Sequence, residues 1–105
     1  MKLETNHFEA TPQLSDMFRL LSDPNRLHLV LFCLGERRNV SDLADTLTLS
    51  QSLVSHHLRL LRAARLLKAE REGKQVFYTL DDNHVAQMLE AMLSHVAECE
   101  HIVTL

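Results

Sequence analysis

Cysteine is scarce in this chain: only Cys33 and Cys99 occur, and they stand in no C-x-x-C spacing. A disulfide framework and a cysteine zinc knuckle are thereby excluded. Also missing are a signal peptide, a run of some ~18 apolar residues, a phosphate loop, a nucleophile elbow and an H-E-x-x-H helix. The expectation is a cytoplasmic protein, with no membrane partner, that is not an enzyme. A further lack is local. No Lys or Arg occurs from 81 to 105, where five acids stand, whereas residues 50 to 80 hold six bases against two acids. The net charge of −3 hides this asymmetry. A basic middle suits a nucleic-acid surface, and an acidic end suits a cation. The 105 residues make one domain with a modest core, which a dimer interface would help to stabilise.

Residues 1–10 show no apolar periodicity and read as a mobile arm. From about Pro12 a helix carries Leu14, Met17, Phe18, Leu20 and Leu21. In S-D-P-N, Asp23 is placed to cap the next helix and Pro24 to occupy its first turn. That helix, Arg26 to about Leu34, is apolar enough to be the buried central one, with Cys33 as an inert thiol inside it and Gly35 as its stop. Over 41–63, Ser41 and Ser50 are each placed to cap a short helix, with T-L-T-L as the turn between them. This spacing predicts a helix-turn-helix whose second helix enters the major groove. Leu53, Val54, Leu58, Leu60 and Leu61 are expected to hold it to the core. Gln51, Ser52, Ser55, His56, Arg59 and Arg62 are expected to face DNA, short polar groups first and cations behind. Residues 66–80 read as a β-hairpin wing turning at E-G-K, with Arg71, Lys74 and Gln75 at its tip. The fold class is therefore α+β, mostly helical: a winged helix-turn-helix of four helices and a wing, followed by a C-terminal dimerisation helix over 82–101.

That last helix carries Asp82, His84, His95 and Glu98 in the spacing D-x-H-x10-H-x2-E. Each alone would pass for part of a solvated face. Together, with no base nearby, they form a set of ligand types suited to Zn(II) or Co(II). His95 and Glu98, three apart, share a helix face. Asp82 is a good N-cap type and can pair with His84 where the helix begins. The eleven-residue step from His84 to His95 returns to the same face some ~16 Å further along, too far for one ion with ~2 Å bonds. The half-sites meet only if a second copy lies antiparallel, and a two-fold homodimer does this twice. Val85, Met88, Leu89, Met92, Leu93 and Val96 give the opposite face the period of a packing or dimerising helix.

With S-D-P-N-R, L-S-Q-S-L-V-S-H-H-L-R-L-L, R-E-G-K-Q-V-F-Y and the D-x-H-x10-H-x2-E helix in that order, the chain resembles the ArsR/SmtB family of bacterial metal-sensing repressors over about residues 12 to 98. The resemblance implies a dimer that binds double-stranded operator DNA near a metal efflux or sequestration gene and loses affinity for it on binding metal. It assigns the zinc-type site to Asp82, His84, His95 and Glu98, and groove reading to Ser52, Ser55, His56 and Arg59. It also implies a coupling route, in which His95, bound to metal through one nitrogen, donates its other N–H to a backbone carbonyl near Arg65. The stretch E-R-R-N-V-S-D-L-A-D lacks the C-x-C of the family's thiolate sensors. Two alternatives stay open: a persulfide-responsive repressor using Cys33 and Cys99, and a nickel or cobalt sensor that recruits His7, Cys99 or His101.

Overall fold

The computed structural model describes residues 2–103, with the side chains of 100–103 excepted. It contains six helices and a three-stranded antiparallel sheet ordered β1-β3-β2 among those residues. The arm is not featureless: α1 (Thr5–Glu9) is a single exposed turn, and His7 Nδ1 accepts from the Glu4 N–H at 2.9 Å. This local bond needs no apolar stripe, so periodicity could not reveal it. Next, α2 (Thr11–Leu21) buries Leu20 and Leu21 and leaves Leu14 and Phe18 exposed.

The central helix α3 (Pro24–Gly35) begins as its sequence dictates, Asp23 Oδ2 accepting from the Arg26 N–H at 3.0 Å with Pro24 beside it. Leu29, Val30 and Cys33 are buried along it. Its end differs from expectation. Gly35 lies inside the helix and has no positive φ, and the chain leaves through an extended Glu36. Arg38 Nε donates to the Phe32 carbonyl at 3.1 Å, so a side chain rather than a glycine turn satisfies that helix end.

A two-residue strand, β1 (Arg38–Asn39), pairs with β3 and leads into α4 (Val40–Leu47). The cap of α4 is Asn39, whose Oδ1 accepts from the Asp42 N–H at 2.8 Å; Ser41 is already inside the helix. At the other end Thr48 is left-handed, φ 56 and ψ 47, and the Leu49 N–H reaches back to the Ala44 carbonyl at 3.0 Å. Then comes α5 (Gln51–Ala63), with Ser50 Oγ accepting from the Leu53 N–H at 3.1 Å. It closes on a left-handed Arg65, with a bond from the Leu66 N–H to the Leu61 carbonyl.

The hairpin of β2 (Leu67–Glu72) and β3 (Gln75–Leu80) turns through Gly73 and Lys74, Gly73 taking φ 61 as such tight loops require. Finally, α6 (Asn83–Val103) packs only its first turns. Leu89 is buried and Val85, Ala86 and Met88 partly so, but every side chain from 90 to 99 is exposed. Met92, Leu93 and Val96, expected on a packing face, are about half exposed. No helix among the described residues is long and apolar enough to cross a membrane.

Candidate nucleic-acid interface and candidate metal centre

Four residues hold α5 to the body: Val54, His57, Leu58 and Leu61. Leu53, expected to help, is exposed, and Leu60 is only partly buried. The residue that sequence reasoning missed is His57. It stands at helical spacing with Val54 and Leu61, a position in the apolar stripe that was legible, yet as a polar residue it was passed over. The residue is 7% exposed and its Nδ1 has no hydrogen-bond partner among the described residues. Burial pushes its pKa below the ordinary histidine value; Asp23 opposes this shift, while Arg26 and His56 add to it.

Turned outward on α5 are Gln51, Ser52, His56, Arg59 and Arg62, with Ser55 half-buried. They are not equally free. Gln51 Nε2 donates to Ser41 Oγ at 3.3 Å, tying the start of α5 to α4. At the hairpin, Arg71 Nε donates to the Gly73 carbonyl, and Asn39 Nδ2 donates to Gln75 Oε1, both at 3.3 Å. Arg37 pairs with Glu72 and lies 4.2 Å over the Phe77 ring, bracing the hairpin from the side. Among the described residues Arg59, Arg62, Arg65 and Lys74 form no salt bridge. Those cations are available to phosphate, and Gln51, Arg71 and Gln75 each keep polar atoms that their single internal bonds do not use.

At the start of α6, Asp82 Oδ1 accepts from the His84 and Val85 N–H groups at 2.9 and 3.1 Å. Those bonds, that of Val85 foremost, hold its carboxyl below the usual range. His84 Nδ1 lies 3.6 Å from the same oxygen, its side chain almost wholly exposed. Farther along the helix, His95 Nε2 is 3.7 Å from Cys99 Sγ, and Glu98 is exposed with no described polar partner. Among the described residues no three His, Cys, Asp or Glu side chains gather at one point. A single copy therefore carries two separate pairs. The donor chemistry fits Zn(II), since the pairs are exposed and no base competes from 81 onward.

The other suggested ligands fare unevenly. His7 Nδ1 accepts a backbone N–H, which leaves the hydrogen on Nε2 and no lone pair there for a metal. The side chain of His101 lies outside the described residues. Cys33 is 1% exposed with its thiol pushed up to about 12 by burial, and both cysteines are free. The only described polar partner of His95 is Cys99, so no bond to Arg65 is present in this single copy.

The three-helix core, tight turn, exposed recognition-type helix and basic hairpin define a winged helix-turn-helix, the fold of transcriptional regulators that bind DNA and not of an enzyme. The model for "Bacterial regulatory protein, arsR family" matches residues 23–69. A transcriptional repressor SmtB homolog from Synechocystis sp. is 37% identical over 97 residues, 92% of this chain and 74% of that one. A cadmium resistance transcriptional regulatory protein CadC homolog from Staphylococcus aureus is 41% identical over 88 residues, 82% of this chain and 72% of its own. Among solved structures, HlyU from Vibrio cholerae matches with a TM-score of 0.75 at 31% identity, over 92% of this chain and 99% of that one. The chain belongs to the ArsR family of bacterial regulatory proteins.

Proposed function

We propose that this protein is a homodimeric, cytoplasmic transcriptional repressor that holds operator DNA when metal-free and releases it on binding Zn(II) or Co(II), derepressing genes for metal efflux or sequestration. One observation carries the reading: two pairs of ligand-type residues stand at separate places on a helix whose side chains from 90 to 99 are all exposed in the single chain. An antiparallel second copy covers Met92, Leu93 and Val96 and brings Asp82 and His84 of one chain to His95 and Glu98 of the other. Four ligands close a tetrahedral site with no open position, as a sensor needs and a hydrolase does not. The similarity to a cadmium resistance regulator supports a metal effector. Ser52, Ser55 and His56 read the groove, Arg59 and Lys74 hold phosphates, and Gln51, Arg71 and Gln75 add contacts through the polar atoms their internal bonds leave free. Coupling runs from His95 to the carbonyl near Arg65, just past the reading helix, so that metal favours a dimer shape in which the two helices miss successive grooves. The persulfide alternative has less support, because Cys33 is buried and its thiolate disfavoured.

The test pairs two defective chains. One carries Asp82→Ala and His84→Ala, the other His95→Ala and Glu98→Ala. Each homodimer holds only half-sites, while the heterodimer restores one full site. Tight Zn(II) uptake and operator release that recover only on mixing support the reading. A verified heterodimer that takes up no Zn(II) tightly overturns the shared site, and operator binding indifferent to Zn(II), Co(II) and Ni(II) overturns metal sensing.

A further inference from the structure

A two-stranded hairpin that leaves the body of a small domain has little of its own to hold its tip. In this chain the tip is held from outside. Glu72 and Gln75 form the last cross-strand pair before the turn, and each is gripped by a residue of the segment that leads into α4. Arg37 pairs with Glu72 while its guanidinium lies 4.2 Å over the Phe77 ring. Asn39 Nδ2 donates to Gln75 Oε1 at 3.3 Å. Strand pairing explains why these groups meet. Asn39 stands opposite Phe77 in the register and side chains alternate with a period of two, so Arg37, Asn39, Glu72, Gln75 and Phe77 share one face of the sheet.

Asn39 does more than grip. Its Oδ1 accepts from the Asp42 N–H at 2.8 Å as the cap of α4, which fixes the amide and turns Nδ2 toward the hairpin. Gln75 meets that donor with Oε1, so its own Nε2 is left to donate outside the chain. One residue thus ties the first helix of the helix-turn-helix to the tip of the wing, and the bond from Gln51 to Ser41 ties the same helix to the start of α5. We propose that Arg37 and Asn39 are positioning residues for DNA binding. They set the wing against the helix-turn-helix before DNA arrives, presenting Lys74 and the Gln75 amide to the phosphate backbone without touching it themselves. The proposal rests on the reading of the hairpin as a DNA contact and is independent of the metal reading of α6. The clamp acts by preorganisation, since a wing already held in place loses less freedom on binding.

A clamp and simple electrostatics predict opposite outcomes. Removing an acid from a DNA-binding surface should strengthen binding to a polyanion, and removing a cation that touches phosphate should lower the salt slope by about one. The metal-free dimer is titrated, over a range of salt, with the duplex that it selects from a random-sequence pool. Glu72→Ala is expected to weaken binding by about two- to fivefold, the scale of an exposed ion pair. Arg37→Ala should weaken it at least as much at the parent's salt slope. Asn39→Ser, which keeps a capping hydroxyl for α4, should weaken it with little change in denaturant midpoint. In the free protein the amide order parameters of Gly73 and Lys74 should fall in all three variants. Tighter or unchanged binding by Glu72→Ala overturns the proposal, as does a slope lowered by about one in Arg37→Ala or a wing whose order parameters hold. If Lys74→Ala changes neither affinity nor slope, the hairpin is off the DNA and the proposal falls with that reading.

Discussion

Thr48 sits in the turn between α4 and α5 with a left-handed backbone that a β-branched residue seldom adopts. The conformation costs on the order of 1 kcal/mol, and the 6→1 bond from Leu49 to Ala44 holds it in place. Thr48→Gly is expected to stabilise the fold by about 1 kcal/mol, read as a higher denaturant midpoint at unchanged slope. His57 makes a second prediction. Its folded pKa lies below the ordinary value, so the unfolded chain takes up the proton first as pH falls. The contribution of His57 is therefore fully present above about pH 6.5, the unfolded histidine value, and is lost as pH falls from there toward the lowered folded value. Protonation would place a charge beside Arg26 and bury a second N–H donor at Nδ1 without a partner. His57→Leu should flatten the loss of stability on acidification of the metal-free protein; an unchanged pH profile would show that another histidine governs it.

At the scale of elements, what could be read beforehand was what local chemistry decides. Asp23 before Pro24, Ser50 before the reading helix and a glycine in the hairpin turn are each a residue meeting a backbone need of its own neighbours. Where two cap formers competed, distance in the chain decided: Asn39 wins over Ser41 because its strand pairs with β3, far along the sequence. The same holds on α6, where the ligand-type residues were legible but which of them stand together depends on rotamers that spacing does not fix. The reading helix and the hairpin carry cations free of internal ion pairs, and this sets their salt behaviour. Arg59→Ala and Lys74→Ala should each lower the salt dependence of operator affinity by about one unit of slope. Slopes equal to the parent's in both variants would place these residues away from phosphate.

For the whole molecule, the unfinished surface is decisive. Fully burying one large apolar side chain contributes roughly 1.5–3 kcal/mol, and Met92, Leu93 and Val96 forgo much of that in a lone chain. Leu14 and Phe18 on α2 remain about half exposed as well. Leu93→Glu is therefore expected to yield monomers at concentrations where the parent sediments as a dimer, and the same variant should lose tight Zn(II) binding although it alters no ligand. A monomer that kept full Zn(II) affinity would show that one chain completes the site unaided.

The separation of the two ligand pairs on α6 also has a consequence for dose. If each ion must be shared by two chains, the chance of meeting a competent site depends on how many copies of the protein the cell holds. Metal and protein then enter the same equilibrium, each raising the apparent affinity for the other by mass action. A cell that makes more repressor does not merely titrate more metal; it also moves the metal threshold at which the first operator is released.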